Sequence, residues 1–392
     1  MKALITSVIS AVLLFGCGER EDVSTNIGAL EAPVWIRTSG TDQALGIARF
    51  SDEGSLVLTG RTAGGLGEDD GFVSLISAEG ELEWTTILGS AGVDVLLDIG
   101  VHSNGTIFAG GVSTGDFEGE RNALFSDGAL SALDSNGVVL WSRLLGLGAI
   151  NQLTLADDGV LVSGSGIQEG RQDADAFIAK YSLAGEPLWS TRVRSDGTDS
   201  ATGLFIQDNT IWVVGFTDGA LFLEGTTASL DGWIGRLDRE GRLLEGEQID
   251  ANEDESFTRV CALRDGGLVV AGYTSDLDGN IDGTLRRYDA SHSEFHTWRS
   301  QWTGSDAIYG LVCTRDDRIA VTGRIDLDSN SDGFRALFDG ALREGEIVVS
   351  EYQGRDEWVD LVDMPGAICY AGYRPFDANP GIDDLDAVAE CY

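Results

Sequence analysis

The sequence reads as an all-β chain that folds into a seven-bladed β-propeller of four-stranded antiparallel blades. Three observations carry that expectation. A short apolar run ending in glycine recurs seven times, closing at Gly60, Gly110, Gly164, Gly215, Gly272, Gly323 and Gly372, and a period of roughly fifty residues suits one propeller blade. Inside each period, four short alternating segments are separated by Gly/Asp turns, with almost no helical periodicity. The two chain ends are complementary fragments of one unit, the seventh.

Taken in chain order, residues 1–16, "MKALITSVISAVLLFG", carry one cation (Lys2) and then an apolar stretch, the layout of a secretory signal. They are too short for a membrane-spanning helix, which needs about 20 apolar residues. Cys17 follows, and "LFGC" (14–17) resembles the lipobox of bacterial lipoproteins. That resemblance implies cleavage before Cys17 and a lipidated N-terminus, each buried lipid CH₂ adding roughly 0.8 kcal/mol of membrane affinity. Residues 17–30 are polar, lack an apolar face and read as a tether. The propeller is expected to occupy 31–392.

Each unit opens with a strand and tight turn such as "LGIARFSDEG" (45–54), and the glycine-terminated run is its second strand. After an acidic loop, a third strand begins at an aspartate and a fourth carries tryptophan. Examples are "DGFVSLISAEGELEW" (70–84), "DGALSALDSNGVVLW" (127–141) and "DAFIAKYSLAGEPLW" (175–189). Trp35, Trp84, Trp141, Trp189 and Trp298 are expected to pack between neighbouring blades, because one blade cannot bury its own faces. Glu245 and Val349 stand where tryptophan would fall in units four and six; Trp302 and Trp358 also read as core. The terminal "DAVAECY" (386–392) matches "DAFIAKY" (175–181), and "APVWIRTSG" (32–40) matches the fourth strand "EPLWSTRV" (186–193). Pairing the two closes the ring and removes exposed strand edges.

"GTDQALGIARFSDEGSLVLTGRT" (40–62) followed by "DGFVSLISAEGELEW" resembles the bacterial β-propeller repeat family, the SBBP-type repeats of secreted and lipid-anchored surface proteins. The resemblance covers about residues 35–392. It implies the propeller fold and a cell-envelope setting, and no particular activity.

The formal net charge is −39 and the only lysine after the signal is Lys180. Such a chain repels nucleic acid and anionic lipid, so basic-patch functions are excluded. The loops between second and third strands (61–70, 111–127, 165–175, 216–231, 273–282, 324–332 and 373–386) hold 23 acidic residues against five arginines. One face of the disc is therefore expected to be strongly negative and to favour cations or cationic partners. Two of these loops, "DLDGNIDG" (276–283) and "DLDSNSDG" (326–333), alternate oxygen ligands with small residues. Asp276, Asp278, Asn280 and Asp282, with Asp326, Asp328, Asn330 and Asp332, are candidate Ca²⁺ ligands, since Ca²⁺ takes six to eight oxygens. The EF-hand pattern itself is broken by Ile281, Ser331, Arg287 and Leu337, and the aspartate of "DG" also suits capping of loop amides.

No catalytic signature occurs in its required context. His102, His292 and His296 are the only histidines and fall in turns, and the GxSxG elbow, the P-loop and the dinucleotide fingerprint are absent from such contexts. Four cysteines follow Cys17, an even number suited to two disulfides in an exported chain. Cys369 and Cys391 lie on adjacent strands of the last unit and invite a bridge. Cys261 and Cys313 lie on first strands of units five and six but are offset by one residue, so a bridge between them follows by exclusion only and free thiols remain an equal reading.

The functional expectation is a monomeric, non-enzymatic, lipid-anchored protein on the outer membrane of a bacterial cell envelope. Its acidic face would bind a protein, glycan or cation. Two alternatives stand beside it: an outer-membrane assembly or maintenance lipoprotein, similar to a family with eight blades, and a quinoprotein-like or lyase-like enzyme. The quinoprotein families use a vicinal cysteine pair and a tryptophan docking motif, and this sequence has neither.

Overall fold

In the computed structural model the described residues are 33–36, 41–63, 65–122, 126–168, 170–223, 229–249, 253–275, 279–302, 304–327, 330–343, 345–350, 356–375 and 385–392, side chains of 327, 330, 375 and 385 excepted. Residues 1–32, and with them Cys17, the signal and the tether, lie outside them. Among the described residues, twenty-eight strands form seven four-stranded antiparallel sheets and no helix occurs. Blades 1 to 6 are consecutive, at 42–88, 94–144, 149–193, 199–249, 254–299 and 306–349. Blade 7 combines three C-terminal strands with the N-terminal strand Val34–Ile36, which pairs with Leu385–Cys391 through Trp35 opposite Val388. The expected closure is thus observed.

Alternation along the strands builds the ring. In blade 3, Val160 and Val162 face blade 2 while Leu161 faces blade 4; in blade 6, Ile319 and Val321 face blade 5 while Ala320 faces blade 7. Seven hydrophobic clusters result, one per seam, including the seam between blades 7 and 1. The sequence needs both strand faces apolar because each sheet is covered on both sides.

The recurring glycine has a steric cause. Every first strand carries a β-bulge at the same height, between Ala44 and Gly46 in blade 1 and between Ile150 and Gln152 in blade 3. The bulge drives the carbonyl before it into the space that a side chain on the second strand would fill. A Cβ on Gly60 would sit 1.8 Å from Gln43 O, on Gly164 2.0 Å from Ala149 O, and on Gly372 2.0 Å from Glu357 O. In blade 2 the residue in that role is Gly111, 2.0 Å from Val95 O, whereas Gly110 lies one pair further along, opposite Asp98. The sequence reading of Gly110 is corrected by one residue.

A second repeated contact ties the rims together. The turn between third and fourth strands has its fourth residue at positive φ: Gly137 at 77°, Gly185 at 81° and Gly241 at 80°. The outer-strand indole of the preceding blade lies on that glycine and donates to a turn carbonyl. Trp84 Nε1 reaches Ser135 O at 3.3 Å, Trp141 reaches Leu183 O at 3.0 Å, and Trp189 reaches Arg239 O at 3.1 Å. A Cβ on Gly185 would stand 2.9 Å from the Trp141 ring, so the flat contact requires glycine. Trp298 and Trp35 occupy other positions. The residue equivalent to Trp84 is His296 in blade 5 and Glu346 in blade 6, while Trp298 packs on Phe338 at 5.0 Å and Trp35 lies under Arg374 at 4.7 Å. Trp358 is buried between blades 6 and 7, and Trp302 packs on Phe334 at 5.1 Å.

Both disulfides form. Cys369 and Cys391 are direct cross-strand partners, with Cα atoms 4.0 Å apart. Cys261 and Cys313 join blades 5 and 6 across 5.7 Å. Their one-residue offset is what allows the bond: opposite-facing side chains on one sheet diverge, but on two sheets packed face to face they converge.

Candidate functional site

The loop end of the ring and its axis gather polar groups that strand packing alone does not demand. At the loop end, six of the seven aspartates opening the third strands are buried, Asp70, Asp175 and Asp231 at 0 %, Asp127 at 3 %, Asp282 at 7 % and Asp386 at 8 % exposure, and Asp332 of blade 6 is half-buried. They hold loops in place. Asp127 accepts from Gly146 N, Leu147 N and Gly148 N at 2.8, 3.2 and 3.3 Å, and Asp70 accepts from Gly67 N at 3.1 Å and from Leu66 N. First-strand carboxylates do the same for the preceding interblade loop, as Asp94 does for Ser90 N at 2.6 Å and Asp199 for Ser195 N at 2.5 Å. The loops of highest acidity therefore spend part of their charge internally. Glu68, Asp116, Glu118, Asp196, Asp218 and Asp254 remain exposed at this end.

Across blades 5 to 7 the carboxylates approach one another. Burial pushes Asp306 up to about 7, with Asp282 and Asp326 adding to the rise. Burial likewise lifts Asp356 to about 6, helped by Asp332, and Asp332 is itself raised by burial and by Asp326. Arginines offset part of this charge: Arg299 Nε donates to Asp282 at 2.7 Å, and Arg324 lies 3.5 Å from Asp326. Of the candidate Ca²⁺ ligands, Asp276, Asp278, Asp328 and the Asn330 side chain lie outside the described residues. Asn280 donates to Asp282 at 3.0 Å. Among the described residues no three His, Cys, Asp or Glu side chains are grouped to hold a metal.

The axis is lined by the seven first strands, each touching those of its neighbours. The residue after each bulge is Gly46, Asp98, Gln152, Gly203, Arg259, Gly310 or Asp360 in blades 1 to 7. The acids and the glutamine reach around the ring to the next blade's backbone. Asp360 accepts from Ile47 N at 3.0 Å, Asp98 from Leu153 N at 2.7 Å, and Gln152 Oε1 from Leu204 N at 2.6 Å. The glycines make room for a neighbour: a Cβ on Gly46 would lie 3.1 Å from Asp98 Cα, and on Gly203 3.0 Å from Arg259 Cα. Burial, and then the nearby Asp360, pushes Asp98 up to about 7, with Arg259 pulling the other way. Asp360 is also raised, chiefly by burial, with Arg259 opposing.

Sequence reasoning missed this column because a mixture of glycine and charge at one aligned position looks like surface variation. The available signal was its constant distance from the repeat glycine's partner. The histidines form no common site: His102 contacts Asp157 O at 3.2 Å, His292 rests on Trp212 at 4.5 Å between ring centres, and His296 pairs with Arg287 in the sheet.

No protein-family model matches the chain, and no curated protein does. Solved structures do. A puromycin hydrolase aligns with TM-score 0.55 and 13 % identity, over 86 % of this chain and 50 % of its own, so the match spans about half of that protein. The WD40 domain of Neurospora crassa Pan2 aligns with TM-score 0.41 and 11 % identity, over 74 % of this chain and 87 % of that domain. At such identities the likeness concerns the fold alone.

Proposed function

We propose that this chain is an extracytoplasmic binding or scaffold protein, held on a bacterial outer membrane through a lipid on Cys17, whose acidic loop end receives a cationic partner. The observation that supports this most is the exposed acid set at the loop end, Glu68, Asp116, Glu118, Asp196, Asp218 and Asp254, standing on loops fixed by buried aspartates. A preorganised, negatively charged rim steers cations and basic protein surfaces toward it. Two disulfides suit an oxidising compartment, and the repeat resemblance suits the cell envelope. No helix among the described residues is long and apolar enough to cross a membrane, and the lipid would supply the anchorage. Catalysis is not part of the proposal.

The test has two arms on the full chain. Radiolabelled palmitate should enter the wild-type protein and not Cys17→Ser, and incorporation into neither rules out the anchor. Chemical crosslinking in intact cells should capture a partner that is lost when Glu68, Asp116, Glu118 and Asp218 are changed to their amides; an unchanged pattern refutes the loop end as the binding face. Calcium at the 276–283 and 326–333 loops belongs to the same reading. Added Ca²⁺ should then raise the thermal midpoint above that in chelator at matched ionic strength, and no rise beyond Mg²⁺ removes it.

A further inference from the structure

The fourth strand of each of blades 1 to 5 carries a β-bulge beside the turn that opens it, and the unpaired residue is Glu83, Leu140, Leu188, Leu244 or Phe295 in turn. Blade 6 has no bulge there. A bulge residue leaves the alternation of its strand and is aimed outward. The four apolar ones are 55, 51, 53 and 52 % exposed, and none belongs to the hydrophobic clusters of the seams. Single exposed leucines are ordinary on a protein surface. Recurrence at one bulge in four consecutive blades makes an arc instead. Because each bulge adjoins the turn between third and fourth strands, the arc lies at the turn end of the disc, opposite the acidic loops.

The chain enters the fold at the same end. Leu385–Cys391 runs from the loop end to the turn end, and Val34 pairs with Ala389 while Ile36 pairs with Ala387, so Val34 is the turn-end residue of the N-terminal strand. In the ring of seven, blade 7 stands across the axis from the middle of the arc formed by blades 2 to 5. Residues 18–32, between Cys17 and the described fold, span about 50 Å at most when extended. A lipid on Cys17 would therefore hold the disc by one point of its rim without fixing which way it faces. An apolar arc on the far side of the same end supplies a second contact. Charge agrees with that choice of end: exposed Arg239 and Arg242 stand there among exposed Glu186 and Glu240, so the signs are mixed, whereas strongly anionic lipid would repel this acidic chain.

We propose that the turn end docks on a bilayer surface of neutral headgroups, with Leu140, Leu188, Leu244 and Phe295 entering the headgroup boundary. The acidic loop end then faces away from the membrane, open to its partner. The inference rests on the lipid anchor proposed above and gives that anchor an orientation.

The experiment places the full lipidated chain on phosphatidylcholine vesicles doped with a diazirine-bearing phosphatidylcholine, irradiates them, and maps labelled peptides by mass spectrometry. Label should fall on the segments holding Leu140, Leu188, Leu244 and Phe295 and spare those holding Asp116, Glu118 and Asp218. Leu140→Ser, Leu188→Ser, Leu244→Ser and Phe295→Ser together should leave circular dichroism unchanged and lower turn-end label at least about tenfold. Leu188→Ser with Leu244→Ser should lower it in the same direction and replaces the fourfold variant if that one misfolds. A Cys17→Ser chain held on nickel-chelating vesicles by an N-terminal histidine tag should give the same map, so a failure of natural lipidation and a failure of the docking face are read separately. Label on the loop end, equal label on both ends, label confined to residues 18–32, or label that rises when phosphatidylglycerol is added would overturn the proposal. So would a sedimenting dimer of the Cys17→Ser chain that the four substitutions dissociate, since the arc would then belong to a second copy.

Discussion

Adjacent glycines in one strand should respond in opposite ways to the same substitution. Gly110 and Gly111 both lie in the second strand of blade 2, yet only Gly111 faces the bulge. A Cβ there would stand 2.0 Å from Val95 O, 2.7 Å from Leu96 Cα and 2.9 Å from Leu97 N. All three are backbone atoms of the innermost strand, so no rotamer change can relieve the contact. Overpacking typically costs about 1–3 kcal/mol and occasionally more, and a backbone obstacle places Gly111→Ala at about 3 kcal/mol or above. At Gly110 the nearest atoms are side-chain carbons, Ile150 Cγ2 at 3.3 Å and Cδ1 at 3.4 Å, which can shift by tenths of an ångström. Removing a glycine also lowers the entropy of the unfolded chain, by about 0.4–1 kcal/mol in favour of folding. Gly110→Ala should therefore stay within about 1 kcal/mol of wild type. Equilibrium urea unfolding followed by tryptophan fluorescence, with m-values compared to confirm a common unfolding reaction, measures both. Equal losses at the two positions, or a larger one at Gly110, would refute the bulge as the reason for the repeat glycine.

Three further outcomes are expected. Trp141→Ala should cost about 2–3 kcal/mol from lost packing and the lost bond to Leu183 O; Gly185→Ala should be destabilising alone but much less so in the Trp141→Ala background, and strict additivity in the cycle would count against direct contact. Asp98 has its folded pKa raised to about 7 from 3.8, so the native state holds that proton more tightly, and stability should fall as pH rises from about 4 to 7. Asp98→Asn should flatten that slope in the urea midpoint, and a wild-type midpoint that climbs over this range would contradict the sign. Peptide mapping without reduction should recover Cys261 with Cys313 and Cys369 with Cys391, and removing the interblade pair should cost about 2–4 kcal/mol.

The blade count and the closing strand were legible because they rest on local signals: alternation with period two, turn chemistry and copied spacing. What was not legible depends on neighbours distant in sequence. The pair Gly110–Gly111 gives any alignment two choices, and a carbonyl from another strand, Val95 O, decides between them. The offset of Cys261 from Cys313 reads as a mismatch until the two strands are placed on facing sheets rather than on one. Loop acidity was legible as a sum, but burial divides it: Asp127 and Asp70 are buried in their ties to loop amides, while Asp116 and Glu118 each accept one loop N–H and stay exposed. The axial column of Asp98, Arg259 and Asp360 needed the ring itself to bring three blades together.

The seams also differ in what secures them, and the difference follows from residues at one or two repeat positions. Blades 1 to 4 are joined at the rim by three indoles on three glycines, blades 5 and 6 by a disulfide, and blade 7 is pinned internally by another while the N-terminal strand closes it. Between blades 4 and 5 neither device is present. There the hydrophobic cluster is helped by the Thr202 hydroxyl donating to Phe257 O at 2.5 Å and by Arg286 pairing with Glu255 and Glu294 within blade 5. Repeat stability is a sum of units and interfaces, so the ring keeps closure although the seams between blades 4 and 5, 6 and 7, and 7 and 1 have neither device among the described residues and rest on their hydrophobic clusters and hydrogen bonds. Glu245 and His292 depart together from the tryptophan and glycine of their repeats, and the seam they border is the one with the buried, unsatisfied Tyr288 hydroxyl. The missing rim contact at that seam thus follows from this one pair of departures from the repeat.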